Sequence, residues 1–221
     1  MNLKQQKNIL GCEQMIKAIF FDMDGVLVDA KEWHYEALNK ALGLFGYTIQ
    51  RYEHLTSFDG LPTSVKLEKL SVEKGLPRAL HQFINELKQR YTMIEIHNKC
   101  HPVFAHEYAL SRLKKEGYKI AVCSNSIRKT IETMMDYANL SQYLDEIFSN
   151  EDVENGKPSP EIYIKAQEKF GLKPEECLVC EDNENGIKAA EGAGCHLLKI
   201  RNAVEVNYSN ITNKIKMIEG A

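Results

Sequence analysis

The stretch IFFDMDGVLVD, residues 19–29, runs an apolar segment into two carboxylates, Asp22 and Asp24, one residue apart. Gly25 follows, and then a second apolar run, Val26-Leu27-Val28. Like charges this close repel, and burial makes the repulsion worse. A surface turn tolerates such a pair, whereas the end of a buried strand needs something to neutralise it. The flanking pattern favours the strand. IKAIFF (16–21), YKIAVC (118–123), CLVC (177–180) and CHLLKI (195–200) are short runs that are apolar on both faces or nearly so, as buried parallel strands are. EIFS (146–149) is a weaker fifth. Helical patterns lie between them, near 126–138, 159–171 and 184–193. The second of these has Ser159 as N-cap, Pro160 at the first helical position, Glu161 in the first turn and Gly171 as its stop. This alternation implies an α/β fold, an open parallel sheet with right-handed crossovers.

One interval breaks the alternation. From about Ala30 to Lys99 the pattern is helical throughout, with Trp33, Ala37, Ala41 and Phe45 recurring every four residues. Further helical stretches fall near 63–74 and 77–96, separated by Gly75-Leu76-Pro77. The chain therefore divides into an N-terminal extension (1–14), a core (15–29 and 100–221) and an inserted all-helical cap domain (30–99). The connections near 29–31 and 98–103 read as hinges. Trp33 is expected in the cap core.

Bulk properties narrow the function. With 43% apolar and 27% charged residues and a formal net charge of −3, the 221-residue chain is an ordinary globular protein. No basic block marks a nucleic-acid or membrane partner, so a small-molecule partner is the default. The first 15 residues lack the apolar centre of a signal peptide, and no stretch is long enough to span a bilayer. A cytoplasmic protein, taken as a monomer, is expected. The six cysteines do not form a disulfide framework. Cys177 and Cys180, on one strand, should point to opposite faces as small buried side chains. The N-x-S/T matches at Asn207 and Asn210 are expected to be accidental.

In open α/β sheets the ligand site lies beyond the carboxyl ends of the strands. Asp22 and Asp24 follow the first strand, Ser124 and Asn125 the second, Lys157-Pro158 the weak strand, and Glu181-Asp182 the fourth. Each pair alone has a plain structural reading as a turn, a cap or a solvated loop. Together they form one rim of four carboxylates, a lysine and hydroxyl or amide donors. A hard divalent cation with oxygen ligands is the economical counter-charge. Acidic metal ligands beside anion donors make a phosphoryl site.

D-x-D-G-V (22–26), S-N (124–125), K-P (157–158) and E-D-N-x-N-G (181–186) resemble the four motifs of the haloacid dehalogenase superfamily. The position of the helical insert resembles its β-phosphoglucomutase-like subgroup. The resemblance implies a Rossmann-like core and a Mg²⁺-dependent phosphatase acting on a small phosphorylated metabolite. It makes Asp22 the nucleophile that forms an aspartyl phosphate and Asp24 the general acid and base, protonated while Asp22 stays ionised. It makes Asp22, the Asp24 carbonyl and Asp182 the Mg²⁺ ligands, with Glu181 contributing directly or from behind. Ser124 and Lys157 would bind the phosphoryl group, and Asn125, on the same rim, would order the loop. His34 in the first cap helix, and Lys66 in the cap stretch 60–67, are candidate substrate or hinge residues. The acids at Asp24 and 181–182 weigh against dehalogenation. A sugar phosphomutase is the second reading. A non-enzymatic phospho-switch ranks below both, since a receiver domain is shorter and lacks an insert after its first strand.

Overall fold

The computed structural model describes residues 15–220; the N-terminal extension over 1–14, the leader reading drawn from it, and Cys12 lie outside the described residues. Five strands are present where five were expected: β1 (Ala18–Phe21), β2 (Lys119–Cys123), β3 (Glu146–Phe148), β4 (Cys177–Glu181) and β5 (His196–Lys199). They pair in parallel in the order β3-β2-β1-β4-β5. After β1 the chain builds outward through β2 and β3, then returns to the other side of β1 for β4 and β5. The strand order therefore reverses between β1 and β4, and a ligand crevice opens at that point.

Nine helices surround or overlie the sheet among the described residues. Between β1 and β2 come α1 (Lys31–Gly43), the single turn α2 (Arg51–Glu53) running into a π-turn over His54–Phe58, α3 (Thr63–Lys74) and α4 (His81–Lys99). The remainder are α5 (Phe104–Lys115), α6 (Arg128–Tyr137), α7 (Glu161–Phe170), α8 (Glu184–Gly192) and α9 (Tyr208–Glu219). The helices at 104–115 and 208–219 were not anticipated, although Ala109-Leu110-Leu113 and Ile211-Ile215 form their buried faces.

Both faces of the sheet are covered, which is why its strands lack polar alternation. On one side Ile19 and Phe21 pack with Leu110, Ile131 and Ile211. On the other, Phe20 and Val179 pack with Ile162, Tyr163 and Ala190. Cys177 joins the second cluster and Cys180 the first, so the two thiols do face opposite ways. A third cluster, built on Leu38, Leu42, Phe58, Leu70 and Ile84, belongs to the helices between β1 and β2.

Two details differ from the sequence reading. Trp33 packs against the sheet-side cluster with Ala30, Ile96 and Cys100, not in the helical layer's own cluster. It sits in the first turn of α1, too near the chain's exit from the sheet to reach that cluster. The helix after Ser159 starts at Glu161 with Pro160 at its cap, and the Ser159 hydroxyl accepts a weak bond from the Glu161 N–H at 3.4 Å. Asn207 has a structural job: its side chain caps α9 by accepting from the Asn210 N–H at 2.9 Å.

Candidate active site

Register places the first acids. Phe21 aligns with Val122 on one side and Cys180 on the other, so Asp22 emerges level with Cys123 and Glu181. Lys157 bridges all three. Its ammonium donates to Asp22 Oδ1 at 2.8 Å, to Glu181 Oε1 at 2.5 Å and to the Cys123 carbonyl at 2.7 Å. Three acceptors match the three protons of an ammonium. Both neighbouring carboxylates raise the lysine's pKa well above its ordinary value against the opposing effect of burial, so it stays charged. Glu181 Oε1 also accepts from the Tyr163 hydroxyl at 2.7 Å, and Oε2 from the Asp182 N–H at 3.1 Å.

Glu181 thus lies beneath the rim, with α8 beginning just beyond it. A Cβ on Gly186 would lie 1.8 Å from Glu181 Oε1. In an open helix, Gly→Ala gains about 1 kcal/mol from propensity. Here the sign reverses, because Glu181 is pinned by Lys157 and Tyr163 and has nowhere to move. Gly186→Ala is expected to lose about 1–3 kcal/mol, read as a lower thermal midpoint, together with a drop in activity.

Asp24 stands two residues on in a different setting. The chain turns at Gly25, whose φ of +89° suits glycine, and the Gly25 N–H donates to the Val28 carbonyl at 2.7 Å. Asp24 Oδ1 lies 3.0 Å from His34 Nε2, and Oδ2 accepts from the Ser126 hydroxyl at 3.3 Å. His34 Nδ1 lies 3.1 Å from the ammonium of Lys88, a buried residue of α4. An ammonium only donates, so Nδ1 is the acceptor and Nε2 carries the proton given to Asp24. Burial holds the His34 pKa below its ordinary value, consistent with a neutral ring. Burial alone raises Asp24, but His34, Lys88 and Ser126 outweigh it and hold the carboxyl below the usual range.

The two acids therefore sit in different electrostatic surroundings. Burial, followed by the charge of Glu181, raises Asp22 well above the usual range despite Lys157. The reason is local: Asp22 shares its end of the cleft with Glu181 and Asp182, while Asp24 faces a cation through His34.

Asp22, Glu181 and Asp182 bring carboxylate oxygens within 4.8 Å of one another. Asp182 Oδ2 meets the Lys31 ammonium at 2.6 Å, while its Oδ1 is buried without a hydrogen-bond partner. An all-oxygen donor set with one buried oxygen unmet fits a hard divalent cation.

The remaining expected residues gather here too. Ser124, 1% exposed, lines the cleft, and its hydroxyl accepts from the Ser126 N–H at 3.1 Å. Asn125 acts as a strap. Its Oδ1 accepts from the Lys157 N–H at 2.9 Å, and its Nδ2 donates to the Lys157 and Gly60 carbonyls, both at 3.1 Å. Lys66 lines the opposite wall from α3, where burial lowers its pKa. Two more contacts join the helical layer to the rim. Asn183 Nδ2 donates to Asp59 Oδ2 at 2.9 Å, and the Thr130 hydroxyl donates to Gln89 Oε1 at 3.2 Å.

Sequence reading missed Lys31, Asp59, Lys88, Gln89, Ser126, Thr130 and Asn183. For Lys88 there was a signal: Ile84, Lys88, Thr92 and Ile96 make one buried stripe along α4 at four-residue spacing. A lysine on such a stripe asks for a partner.

The cleft encloses about 170 Å³, room for roughly half a dozen waters. No helix among the described residues is long and apolar enough to cross a membrane.

Comparison with known proteins agrees with this geometry. The chain is 28% identical over 184 residues to a phosphorylated carbohydrates phosphatase of Thermotoga maritima, covering 81% of this chain and 82% of that protein. It is 29% identical over 180 residues to a phosphoglycolate phosphatase of Aquifex aeolicus, with the same coverage. Among solved structures, a β-phosphoglucomutase from Clostridium difficile superposes with a TM-score of 0.80 at 23% identity, covering 94% of this chain and all of that one. At that identity the likeness speaks for the fold. Residues 19–200, from the first strand to the end of the last, match the haloacid dehalogenase-like hydrolase family, and the chain is an enzyme of that family.

Proposed function

We propose that this hydrolase is a Mg²⁺-dependent phosphatase acting on a small phosphorylated metabolite, a sugar or polyol phosphate, through an aspartyl phosphate on Asp22. The observation that carries the reading is the pair Asp22 and Asp24: two acids at one strand end, one against Lys157 and Glu181, the other against His34 and Lys88. Two carboxyls with unequal environments suit two roles. Phosphatase names among the sequence relatives support it.

Asp22 attacks phosphorus, the leaving oxygen takes a proton from Asp24, and Asp24 then draws a proton from the attacking water. The acid step needs Asp24 protonated. A phosphate dianion seated against Ser124 and Lys157 raises the Asp24 pKa by like charge and so favours its protonated form. Asp22, Asp182 and the Asp24 carbonyl would hold Mg²⁺, with Glu181 behind them. When bound, the ion supplies positive charge that keeps Asp22 ionised and spreads the charge of the phosphoryl oxygens. The helical layer acts as a cap domain over residues 30–99, excluding water and selecting the substrate.

The reading is tested by phosphate release from p-nitrophenyl phosphate, sugar phosphates, polyol phosphates and phosphoglycolate, with and without Mg²⁺. No release from any of them removes it. A phosphomutase is the second reading, favoured by Lys66 and Lys88 on the cap wall as partners for a second phosphate. Against it, no arginine fork lines the cleft among the described residues. A mutase would interconvert sugar phosphates, primed by a bisphosphate, with little net release.

Lys88 supplies a pH signature. Burial lowers its pKa to about 8, with Lys66 adding to the effect. Above that value it loses its proton, the His34–Asp24 pair loses the positive charge beside it, and turnover is expected to fall several-fold. Stability moves the other way. The folded lysine releases its proton near 8 and the unfolded one near 10.4, so the folded form gains stability as pH rises through that window. Lys88→Met removes both trends, checked by a pH–rate profile beside a pH–melting profile.

A further inference from the structure

Lys31 opens α1, where the chain leaves the sheet for the helical layer. Its ammonium meets Asp182 Oδ2 at 2.6 Å, and its stem lies across Gly25, so close that a Cβ there would sit 2.5 Å from Lys31 Cε. The two partners differ in freedom. The Asp182 side chain is 3% exposed, whereas that of Lys31 is 34% exposed and borders solvent. Asp182 is one of the three acids whose oxygens converge, and its second oxygen is buried and unpartnered. Lys157 stands in contrast: it is enclosed and bonded to three acceptors, a fixed part of the floor.

We propose that Lys31 is a built-in competitor for the cation site, neutralising Asp182 until a divalent cation takes over that carboxylate. This rests on the cation site of the phosphatase reading. A divalent ion arriving at Asp182 meets an ammonium on the same carboxylate, and the two repel in a partly buried setting. The side chain that can move is the one bordering solvent. Lys31 leaves and Asp182 becomes a ligand. Cation binding is then an exchange of one cation for another, and the intrinsic affinity is weakened by the contact that must break. The same exchange frees the first turn of α1 from the rim, so loading the ion removes one tether of the helical layer.

The test is Mn²⁺ binding by titration calorimetry to wild type, Lys31→Met, Lys31→Arg and Asp182→Asn, with no substrate present. Lys31→Met is expected to bind about tenfold more tightly than wild type. Lys31→Arg, which keeps a cation on Asp182, should stay near wild type, and Asp182→Asn should bind far more weakly. Melting gives an independent readout: ion-free Lys31→Met melts below wild type and gains more from saturating Mn²⁺. Should Lys31→Met prove unstable, Lys31→Gln repeats the measurement with a smaller polar side chain. Equal or weaker Mn²⁺ binding by folded Lys31→Met or Lys31→Gln overturns the competition and leaves the cation site standing. Wild type and Asp182→Asn binding alike would remove the cation site itself, and the competition with it.

Discussion

Asp22→Asn is expected to reduce phosphate release by about 10⁴-fold or more, because an amide cannot attack phosphorus and form the covalent intermediate. The fold should survive. Asn is nearly isosteric, and the change removes a charge that Glu181 and Asp182 repel. Lys157 keeps Glu181 and the Cys123 carbonyl as acceptors. The melting temperature should therefore equal or exceed that of wild type. That pairing of lost activity with intact stability separates a chemical role from a structural one. An Asp22→Asn protein that retains wild-type phosphate release would end the nucleophile assignment, whatever its stability.

Lys157→Met should do the reverse. Methionine fits the volume but leaves two buried carboxylates facing each other without their shared cation. Breaking a buried pair by removing one partner typically costs about 3–5 kcal/mol. For a chain of this length that lowers the melting temperature by roughly 6–20 °C. Activity falls as well, since the phosphoryl group loses the positive charge beside it. Adding Asp22→Asn to Lys157→Met removes one of the opposed charges, so the double variant should recover part of the lost stability. A strictly additive double mutant would show that the charges do not couple through Lys157.

How much of this was legible in the sequence follows from what each residue depends on. Asp22, Ser124, Lys157 and Glu181 stand directly beside apolar runs or turn residues, so strand ends located them without any tertiary information. His34 was readable for a related reason: it lies in the first turn of α1, just past the expected hinge at 29–31. Lys88 depends on which face of α4 turns inward, and that is settled by packing against α1 and α6. Asp59 and Asn183 are 124 positions apart, and no local pattern in either segment announces their hydrogen bond. Trp33 fitted the apolar stripe of α1 and was therefore given to the wrong cluster, since a stripe shows that a residue is buried but not against what. The surroundings of the two aspartates were not readable either, because only the fold brings His34 and Lys88 to one acid and Glu181 to the other.

The side-chain links Asn125–Gly60, Asn183–Asp59 and Thr130–Gln89 also bear on how fast products can escape. Each exchanges bonds to water for a bond across the cleft, a net gain of about 1 kcal/mol apiece. Three such links favour closure by about 3 kcal/mol before any packing or ion pairing is counted. Any opening of the cleft must break all three, along with the His34–Asp24 and Lys31–Asp182 contacts. Release of product is then tied to how readily these contacts yield.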